Sequence, residues 1–217
     1  MIKCPNCGNL TKEQIELYNQ NLRKQNFTHI PILPTCKFCH SVVEISHKCL
    51  RGNVIVLTGT CGSGKSTVAE ILVQKGFLAI DGDCAIQSAK FKRNGESVDY
   101  REALNEISYE IDVLSMFSQN LVLAVVVHPD DVQKYKEMLK TKNLKYKFIL
   151  LKPSFQAALA RCQTRTCHKS ITPEYWINYF YDLLQYDDEV EIVDNTNMTA
   201  EETAEYIIRL IESENYI

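Results

Sequence analysis

A glycine-rich stretch from Gly59 to Thr67 constrains the fold of this chain more than any other feature. It has the spacing of a phosphate-binding loop, in which Gly, four residues, Gly and Lys are followed by Ser or Thr. An apolar, β-branched run from Val54 to Thr58 comes directly before it and predicts a buried strand. Apolar residues at helical spacing follow it. The sequence therefore predicts a strand, a glycine loop and a helix in succession, which is the setting that this pattern requires.

The residue types in this stretch explain how it would hold phosphate. Glycine lacks a Cβ, so the backbone can curl until its N–H groups converge on an anion, and the helix N-terminus adds a partial positive charge. We expect Lys65 to reach the β- and γ-phosphates and the hydroxyl of Ser66 to bind Mg²⁺. The alternative is a glycine-rich turn with a chance Lys-Ser pair, which the flanking elements disfavour. The predicted nucleotide-binding residues of the loop are Gly59, Thr60, Cys61, Gly62, Ser63, Gly64, Lys65, Ser66 and Thr67.

The composition indicates a globular protein with one domain, or one domain and a small addition. The chain has 217 residues, of which 45% are hydrophobic. No apolar run approaches the roughly 18 residues of a membrane span. The first residues, Met1 to Pro5, lack the apolar core of a signal peptide. We therefore expect a cytoplasmic protein, in which the nine cysteines are thiols or metal ligands rather than disulfides.

Residues 1–52 contain two Cys-x-x-Cys pairs, whose spacing lets both thiolates of a pair bind one tetrahedral ion. About 50 residues cannot bury enough surface to fold alone, and zinc would supply the missing stability. The segment resembles a zinc ribbon, so we predict a zinc-ribbon-like module there. A mixed site with a histidine, and a redox or unligated role, stay open as alternatives. The predicted Zn²⁺ ligands are Cys4, Cys7, Cys36 and Cys39, with His40, His47 and Cys49 as possible substitutes.

The two parts of the chain differ in charge. Residues 1–52 carry seven Lys or Arg and three Asp or Glu, a net charge of +4. Residues 53–217 carry 17 Lys or Arg and 24 Asp or Glu, a net charge of −7. The total of −3 gives no sign of a bulk nucleic-acid binder. A role of the first segment in contacting nucleic acid or covering an active site rests on its positive charge alone, and a structural role is the simpler interpretation.

Strands alternate with helices throughout residues 53–217, which predicts a parallel sheet covered on both faces, with ligands at the carboxyl ends of the strands. The expected fold is an α/β three-layer sandwich with a five-stranded parallel sheet. Beyond the first strand and helix, the predicted strands are 76–80, 121–127, 147–151 and 191–193, and the predicted helices are 100–118, 130–140, 154–165, 173–185 and 200–213. A polar stretch is expected after Asp83.

Four motifs make residues 53–217 resemble the small P-loop kinases, a group that includes shikimate, gluconate, adenylylsulfate and nucleoside-monophosphate kinases. They are Gly59–Thr67, Asp81-Gly82-Asp83, Arg161 to Arg165, and Val193-Asp194-Asn195-Thr196. The resemblance implies an ATP-dependent phosphotransferase that moves the γ-phosphoryl group of Mg-ATP to a hydroxyl of a small molecule.

The resemblance also implies roles for individual residues. Asp83 would orient or deprotonate the acceptor hydroxyl, and Asp81 would help Ser66 to hold Mg²⁺. Arg161 and Arg165 would lie in or beside a lid over the nucleotide, where a guanidinium suits the charge on a transferring phosphoryl group. The implied catalytic residues are Lys65, Asp83 and Arg165, and Asn195 and Thr196 would touch adenine. Each of these roles has a structural alternative. Asp81 to Asp83 would be a plain turn in which Asp83 caps the next helix, and Arg161 and Arg165 would be solvated cations at a helix end. Residues 194–196 would be a plain turn.

The chain departs from these kinases after the third predicted strand, where Val127-His128-Pro129 offers no carboxylate on the metal side. We interpret His128 and Trp176 as packing residues. Lys90, Lys92, Arg93 and Arg101 suggest an anionic acceptor, although a solvated basic face explains them equally well.

Other functions stay open, because a fold does not select a substrate. A polynucleotide-end kinase would use the zinc module to grip RNA or DNA. A nucleotide-dependent switch is ranked last, because the chain lacks the Asp-x-x-Gly and Asn-Lys-x-Asp motifs typical of GTPases. The sequence determines neither the acceptor nor the oligomeric state.

Overall fold

The structure is a computed structural model, and it describes residues 3–4, 8–9, 53–92, 100–115, 120–164, 172–186 and 190–213. The described strands are β1 Lys3–Cys4, β2 Gly8–Asn9, β3 Asn53–Thr58, β4 Leu78–Asp81, β5 Asn120–Ala124, β6 Lys145–Leu151 and β7 Val190–Val193. The described helices are α1 Lys65–Gln74, α2 Gly82–Lys92, α3 Tyr100–Leu114, α4 Val132–Thr141, α5 Phe155–Gln163, α6 Pro173–Leu183 and α7 Ala200–Ser213.

Strands β3 to β7 form a five-stranded parallel sheet in the order β4-β5-β3-β6-β7. The strand before the glycine loop therefore lies at the centre, with Leu57 opposite both Ala124 of β5 and Ile149 of β6. Parallel neighbours bring all carboxyl ends to one edge, where the loops after β3 and β4 meet. The α/β architecture and the five-stranded parallel sheet confirm the fold predicted from the sequence.

Both faces of the sheet are covered, because successive residues of a strand point to opposite sides. Val54 and Val56 of β3 pack in one cluster with α3 and α4, while Ile55 and Leu57 pack in a second cluster with α1 and α7. All four side chains are fully buried. This explains why the strands are continuous apolar runs rather than alternating ones, and it gives the three layers of a sandwich.

Residues 82–92 differ from the sequence-based expectation of a polar stretch, because they form helix α2. The carboxylate of Asp81 begins this helix by accepting a hydrogen bond from the backbone N–H of Asp83 at 2.9 Å. It is therefore Asp81, and not Asp83, that caps the helix. The buried face contains Ala85 and Ala89, and two such small side chains give little apolar periodicity for sequence analysis to detect.

Strand β5 ends at Ala124, three residues before the predicted end. Its neighbour β4 ends at Asp81, opposite Ala124, so the ladder on that side stops there. On the other side, the backbone N–H of Val127 donates to the side chain of Thr58 at 3.0 Å. The apolar run continues past the strand: the N–H of Val125 still donates to the carbonyl of Leu57 in β3 at 3.0 Å, and the next bond on that side goes to the Thr58 side chain instead.

Most of residues 1–52 lie outside the described residues. The exceptions are β1 and β2, which pair antiparallel with Lys3 opposite Asn9 and Cys4 opposite Gly8. Cys4 therefore has a described backbone, while Cys7, Cys36 and Cys39 and the alternative ligands His40, His47 and Cys49 do not. The zinc-ribbon-like module and the boundary at residue 52 stay predictions.

Candidate active site

The glycine loop after β3 has the backbone that only glycine adopts easily. Gly59, Gly62 and Gly64 have φ angles of 146°, 75° and 94°. A Cβ on Gly62 would lie 2.2 Å from the backbone oxygen of Ala158 in α5, so the loop packs directly against that helix. The loop conformation thus depends on both the backbone freedom and the small size of these glycines.

Helix α1 begins at Lys65, directly behind the loop. Its first intrahelical bond runs from the N–H of Val68 to the carbonyl of Gly64 at 2.8 Å, so the amides of Ser66 and Thr67 have no intrahelical acceptor. The ammonium of Lys65 reaches back across the loop and donates to the carbonyls of Gly59 at 2.7 Å and Thr60 at 3.0 Å. The loop, the lysine and the helix end form a cradle suited to an anion.

The two residues predicted to hold Mg²⁺ are in direct contact. The hydroxyl of Ser66, in the first turn of α1, donates to Oδ2 of Asp81 at 3.1 Å. Asp81 ends β4, one strand removed from β3, and its other oxygen caps α2. The hydroxyl and carboxylate therefore lie together beside the cradle, and hard oxygen ligands of this kind suit Mg²⁺. Within the described ranges, no cluster of three or more His, Cys, Asp or Glu side chains could hold a metal ion.

An acidic environment surrounds Cys84 in the first turn of α2. Burial, and after it the carboxylates of Asp81, Glu110 and Asp83 in that order of effect, together raise the pKa of the Cys84 thiol to about 12. These groups therefore lie near one another at the carboxyl end of β4, with Asp83 exposed and Glu110 buried in α3. The thiol stays protonated at neutral pH. Sequence analysis missed Glu110, because it lies in a helix without any motif.

The loop after β7 contacts the phosphate-binding loop. The side-chain amide of Asn195 donates to the carbonyl of Ser63 at 3.0 Å, and both residues are buried. Arg161, at the end of α5, donates through one guanidinium nitrogen to the carbonyl of Asn195 at 2.8 Å. The same nitrogen lies 3.4 Å from the carbonyls of Thr196 and Met198. The structure thus brings Arg161, Asn195 and Thr196 together beside the phosphate-binding loop.

The turn at Asp194 to Thr196 is ordered by its own side chains. The hydroxyl of Thr196 accepts from the N–H of Ser154 at 2.7 Å and donates to the carboxylate of Asp194. Asp194 also accepts from the backbone N–H of Thr196 at 2.9 Å. The hydroxyl bond, and then the backbone bond, lower the pKa of Asp194. The turn is therefore held both internally and against the start of α5.

Tyr181 and Tyr186, which belong to no sequence motif, hold α6 and the segment after it in place by hydrogen bonds. The hydroxyl of Tyr186 donates to the carbonyl of Val127. The same hydroxyl lies 3.1 Å from the hydroxyl of Thr58, the residue before the glycine loop. Burial raises the pKa of Tyr186 to about 12. The hydroxyl of Tyr181 donates to the carbonyl of Pro153, before α5. Their hydrogen bonds could not be predicted from the sequence, because the partners are far apart along the chain.

His128 and Trp176, which we interpreted as packing residues, are both partly exposed. The His128 side chain is 37% exposed, and its Nδ1 accepts from the N–H of Asp130 at 3.2 Å. It therefore caps the short 3₁₀ turn at residues 129–131. Trp176 is 37% exposed and contacts the rings of Tyr175, Tyr179 and Phe180 on α6.

Several predicted site residues cannot be placed. Arg165 lies outside the described residues, as does Arg93. The side chains of Lys92 and Arg101 are also outside them, and only Lys90, which is partly buried, is described. The basic group predicted to bind an anionic acceptor therefore stays a prediction. None of the helices in the described ranges combines the length and the apolar composition needed to cross a membrane.

Similarity to known proteins is visible in the fold rather than in the sequence. No family model matches the chain, and no curated protein matches it either. A tunicamycin resistance protein from Deinococcus radiodurans is 18% identical with a TM-score of 0.57, over 74% of this chain and 96% of that one. A sugar kinase from Janibacter is 16% identical with a TM-score of 0.55, over 75% of this chain and 95% of that one.

The APS kinase of Mycobacterium tuberculosis, solved in complex with AMPPNP and APS, is 19% identical with a TM-score of 0.53, over 75% of this chain and 98% of that one. At such identities the likeness establishes the fold. The chain thus has the α/β fold of the P-loop kinases, with the glycine loop at the carboxyl edge of its central strand.

Proposed function

We propose that this protein is an ATP-dependent kinase that transfers the γ-phosphoryl group of Mg-ATP to a hydroxyl of a small molecule. The observation that carries the proposal is the hydrogen bond between Ser66 and Asp81 beside the anion cradle. An anion-binding loop alone would suit many ligands. A loop with a metal-binding hydroxyl and carboxylate at its rim suits a nucleotide whose phosphates are bound together with Mg²⁺.

The cradle would bind and orient the phosphates. The amide groups of the loop and of the first turn of α1 would donate to the phosphate oxygens, and Lys65 would exchange its bonds to Gly59 and Thr60 for bonds to the terminal phosphates. Ser66 and Asp81 would hold Mg²⁺, which neutralises charge on the phosphates when it is bound. Positioning and charge stabilisation supply most of the catalysis in phosphoryl transfer.

Asp83 would serve the acceptor. It is exposed, it lies two residues after Asp81, and it stands in the first turn of helix α2, directly after the carboxyl end of β4. Its carboxylate would accept the proton of the attacking hydroxyl while the new oxygen–phosphorus bond forms and the bond between the γ-phosphorus and the bridging oxygen of ADP breaks. Arg165 would close over the transferring group.

The base would lie against the turn at residues 194–196, which Arg161 fixes by its bonds to three carbonyls. In this arrangement Arg161 organises the adenine side of the site rather than the phosphate side. The bond from Asn195 to Ser63 joins the base-binding turn to the phosphate-binding loop, so one rigid unit would receive both ends of the nucleotide.

Calorimetry on the full-length protein tests the proposal. We expect Mg-ATP to bind with a micromolar to millimolar dissociation constant, and Lys65→Ala to weaken binding at least about tenfold, because a charged hydrogen bond to phosphate is lost. Lys75→Ala is the matched control, since this lysine lies just beyond the far end of α1 and pairs with Glu205. No Mg-ATP binding by the parent protein would refute the proposal.

A screen with labelled ATP would identify the acceptor among sugars, nucleosides, nucleotides, antibiotics and RNA ends. Once an acceptor is known, we expect Asp83→Asn to lower kcat by about 10²–10⁴-fold while Mg-ATP affinity is kept. Unchanged turnover would exclude the role given to Asp83. Phosphorylation of RNA or DNA ends alone would replace the small-molecule proposal with the polynucleotide-end kinase.

A further inference from the structure

The loop after β5 occupies the position between the two halves of the site. Strand β5 lies between β3, which leads into the phosphate-binding loop, and β4, which leads into Asp81 and Asp83. A phosphoryl group that moves from a nucleotide to an acceptor held by Asp83 must pass across the carboxyl end of β5. In this chain that end carries Val127-His128-Pro129, and the first carboxylate after it, that of Asp130, lies 3.4 Å from Nδ1 of His128.

The backbone before His128 is fixed on both sides. The N–H of Val127 donates to the hydroxyl oxygen of Thr58 at 3.0 Å, and the carbonyl of Val127 accepts from the hydroxyl of Tyr186. Thr58 directly precedes Gly59, whose carbonyl accepts from Lys65 at 2.7 Å. A continuous series of short contacts therefore connects the residue before His128 to the lysine of the cradle.

The imidazole of His128 is also fixed. Nδ1 accepts from the backbone N–H of Asp130 at 3.2 Å and lies 3.4 Å from the carboxylate of Asp130. In the tautomer that accepts this hydrogen bond, the ring proton is on Nε2. Nε2 makes no hydrogen bond to any residue that the structure describes, and the side chain is 37% exposed. The ring thus presents an oriented N–H donor to solvent at the edge where the ligands of this fold bind.

We infer that His128 binds a terminal phosphate oxygen of the nucleotide through Nε2–H, an inference that rests on the proposed kinase function. A donor at this position would stabilise the negative charge that the transferring group carries between the nucleotide and Asp83. It would stand where a metal-side carboxylate is missing, leaving Mg²⁺ to Ser66 and Asp81. His128 is then a ligand-binding residue that no packing role explains.

The test compares two nucleotides that differ in the terminal group. Calorimetry with the full-length protein and Mg²⁺ measures the dissociation constants of AMPPNP and of ADP. We expect His128→Ala to weaken AMPPNP binding by about tenfold and to leave ADP binding within about twofold, because only AMPPNP has the third phosphate.

Two further variants separate phosphate binding from the cap of the 3₁₀ turn. Asparagine can accept from the N–H of Asp130 in the manner of Nδ1 but has no donor at the position of Nε2, so we expect His128→Asn to fold normally and still lose AMPPNP affinity. Glutamine extends an amide N–H to the position of Nε2, so His128→Gln should recover part of that affinity.

The possible outcomes are distinct. Full AMPPNP affinity in His128→Asn would show that the cap is the only role and would overturn the inference, as would equal losses for AMPPNP and ADP in His128→Ala. If the parent protein binds neither nucleotide, the proposed function fails and this inference fails with it. If the parent binds both and all three variants match it, only the inference fails.

Discussion

The side-chain amide of Asn195 donates a hydrogen bond of 3.0 Å to the carbonyl oxygen of Ser63, although the two residues are 132 positions apart in the chain. The amide nitrogen is thereby fixed toward the phosphate-binding loop, and the backbone of Asn195 is fixed by Arg161. Oδ1 of Asn195 is buried and has no hydrogen-bond partner in the described part of the chain. The turn after β7 is therefore a structural support of the phosphate-binding loop as well as its neighbour.

Replacing Asn195 tests this support. Asn195→Ala should weaken Mg-ATP binding about fivefold, because a net hydrogen bond of about 1 kcal/mol that shapes the loop is lost. Asn195→Asp should weaken it more, because a carboxylate would face the carbonyl of Ser63. Asn197→Ala, at an exposed position two residues later, is the control. Calorimetry makes the comparison, and equal affinities for all three variants would contradict the role.

Removing the oxygen ligands proposed for Mg²⁺ should change the metal dependence of nucleotide binding. We expect the parent protein to bind ATP more tightly with Mg²⁺ than with EDTA, and Ser66→Ala and Asp81→Asn to lose most of that difference, because each removes one ligand. Glu70 is an exposed carboxylate on α1, and Glu70→Gln should keep the difference in ATP affinity between Mg²⁺ and EDTA. A full Mg²⁺ effect in both site variants would place the metal elsewhere.

A methyl group at Gly62 should disrupt the cradle. The residue has a φ of 75°, and a Cβ would lie 2.2 Å from the backbone oxygen of Ala158, which cannot move aside as a flexible side chain would. Gly62→Ala should therefore destabilise the fold by more than about 1 kcal/mol and greatly weaken ATP binding. Gly76→Ala is the control, because its φ is also positive, at 100°, but no atom lies within 4 Å of the added Cβ. Urea unfolding and calorimetry measure the two effects, and equal behaviour of the variants would refute the steric argument.

Tyr186 predicts how stability depends on alkaline pH. Burial raises the pKa of its hydroxyl to about 12, so the folded state favours the neutral form. Its contribution to stability is complete below the ordinary tyrosine pKa of about 10 and is lost as the pH rises through about 12. Tyr186→Phe should lower the free energy of unfolding by about 1 kcal/mol at pH 8. Between pH 10 and 12, this variant should lose less stability than the parent protein does. Thermal unfolding across this range gives the comparison, and parallel curves would contradict it.

The zinc prediction is tested by metal content. If the four cysteines bind the ion, protein purified with sufficient zinc should contain about one Zn²⁺ per chain. Cys36→Ser should lower that content, whereas Cys162→Ser, on α5, should not. A content below about half an ion per chain would contradict the prediction. A chelator should release the metal and leave Mg-ATP binding intact if the module is only structural.

The sequence predicted the elements whose signals are local and strong. The phosphate-binding loop, the central strand before it and the final helix all lie where the residues indicated, because glycine spacing, continuous apolar runs and helical periodicity are properties of neighbouring residues. Helix α2 was missed because its buried face consists of small side chains. The cap at His128 was missed because histidine is not among the residues that usually begin a helix.

The sequence by itself therefore determined an α/β chain and the position of its glycine loop, and it led to the prediction that Ser66 and Asp81 bind a metal. Only the tertiary structure decided which distant groups meet: Ser66 with Asp81, Asn195 with Ser63, Arg161 with the turn after β7, and Tyr186 with Thr58 and Val127. The physical reason is that these contacts depend on strand order, which places β5 between β3 and β4 and β6 between β3 and β7. Strand order is set by the packing of the whole core, and no short stretch of the chain encodes it.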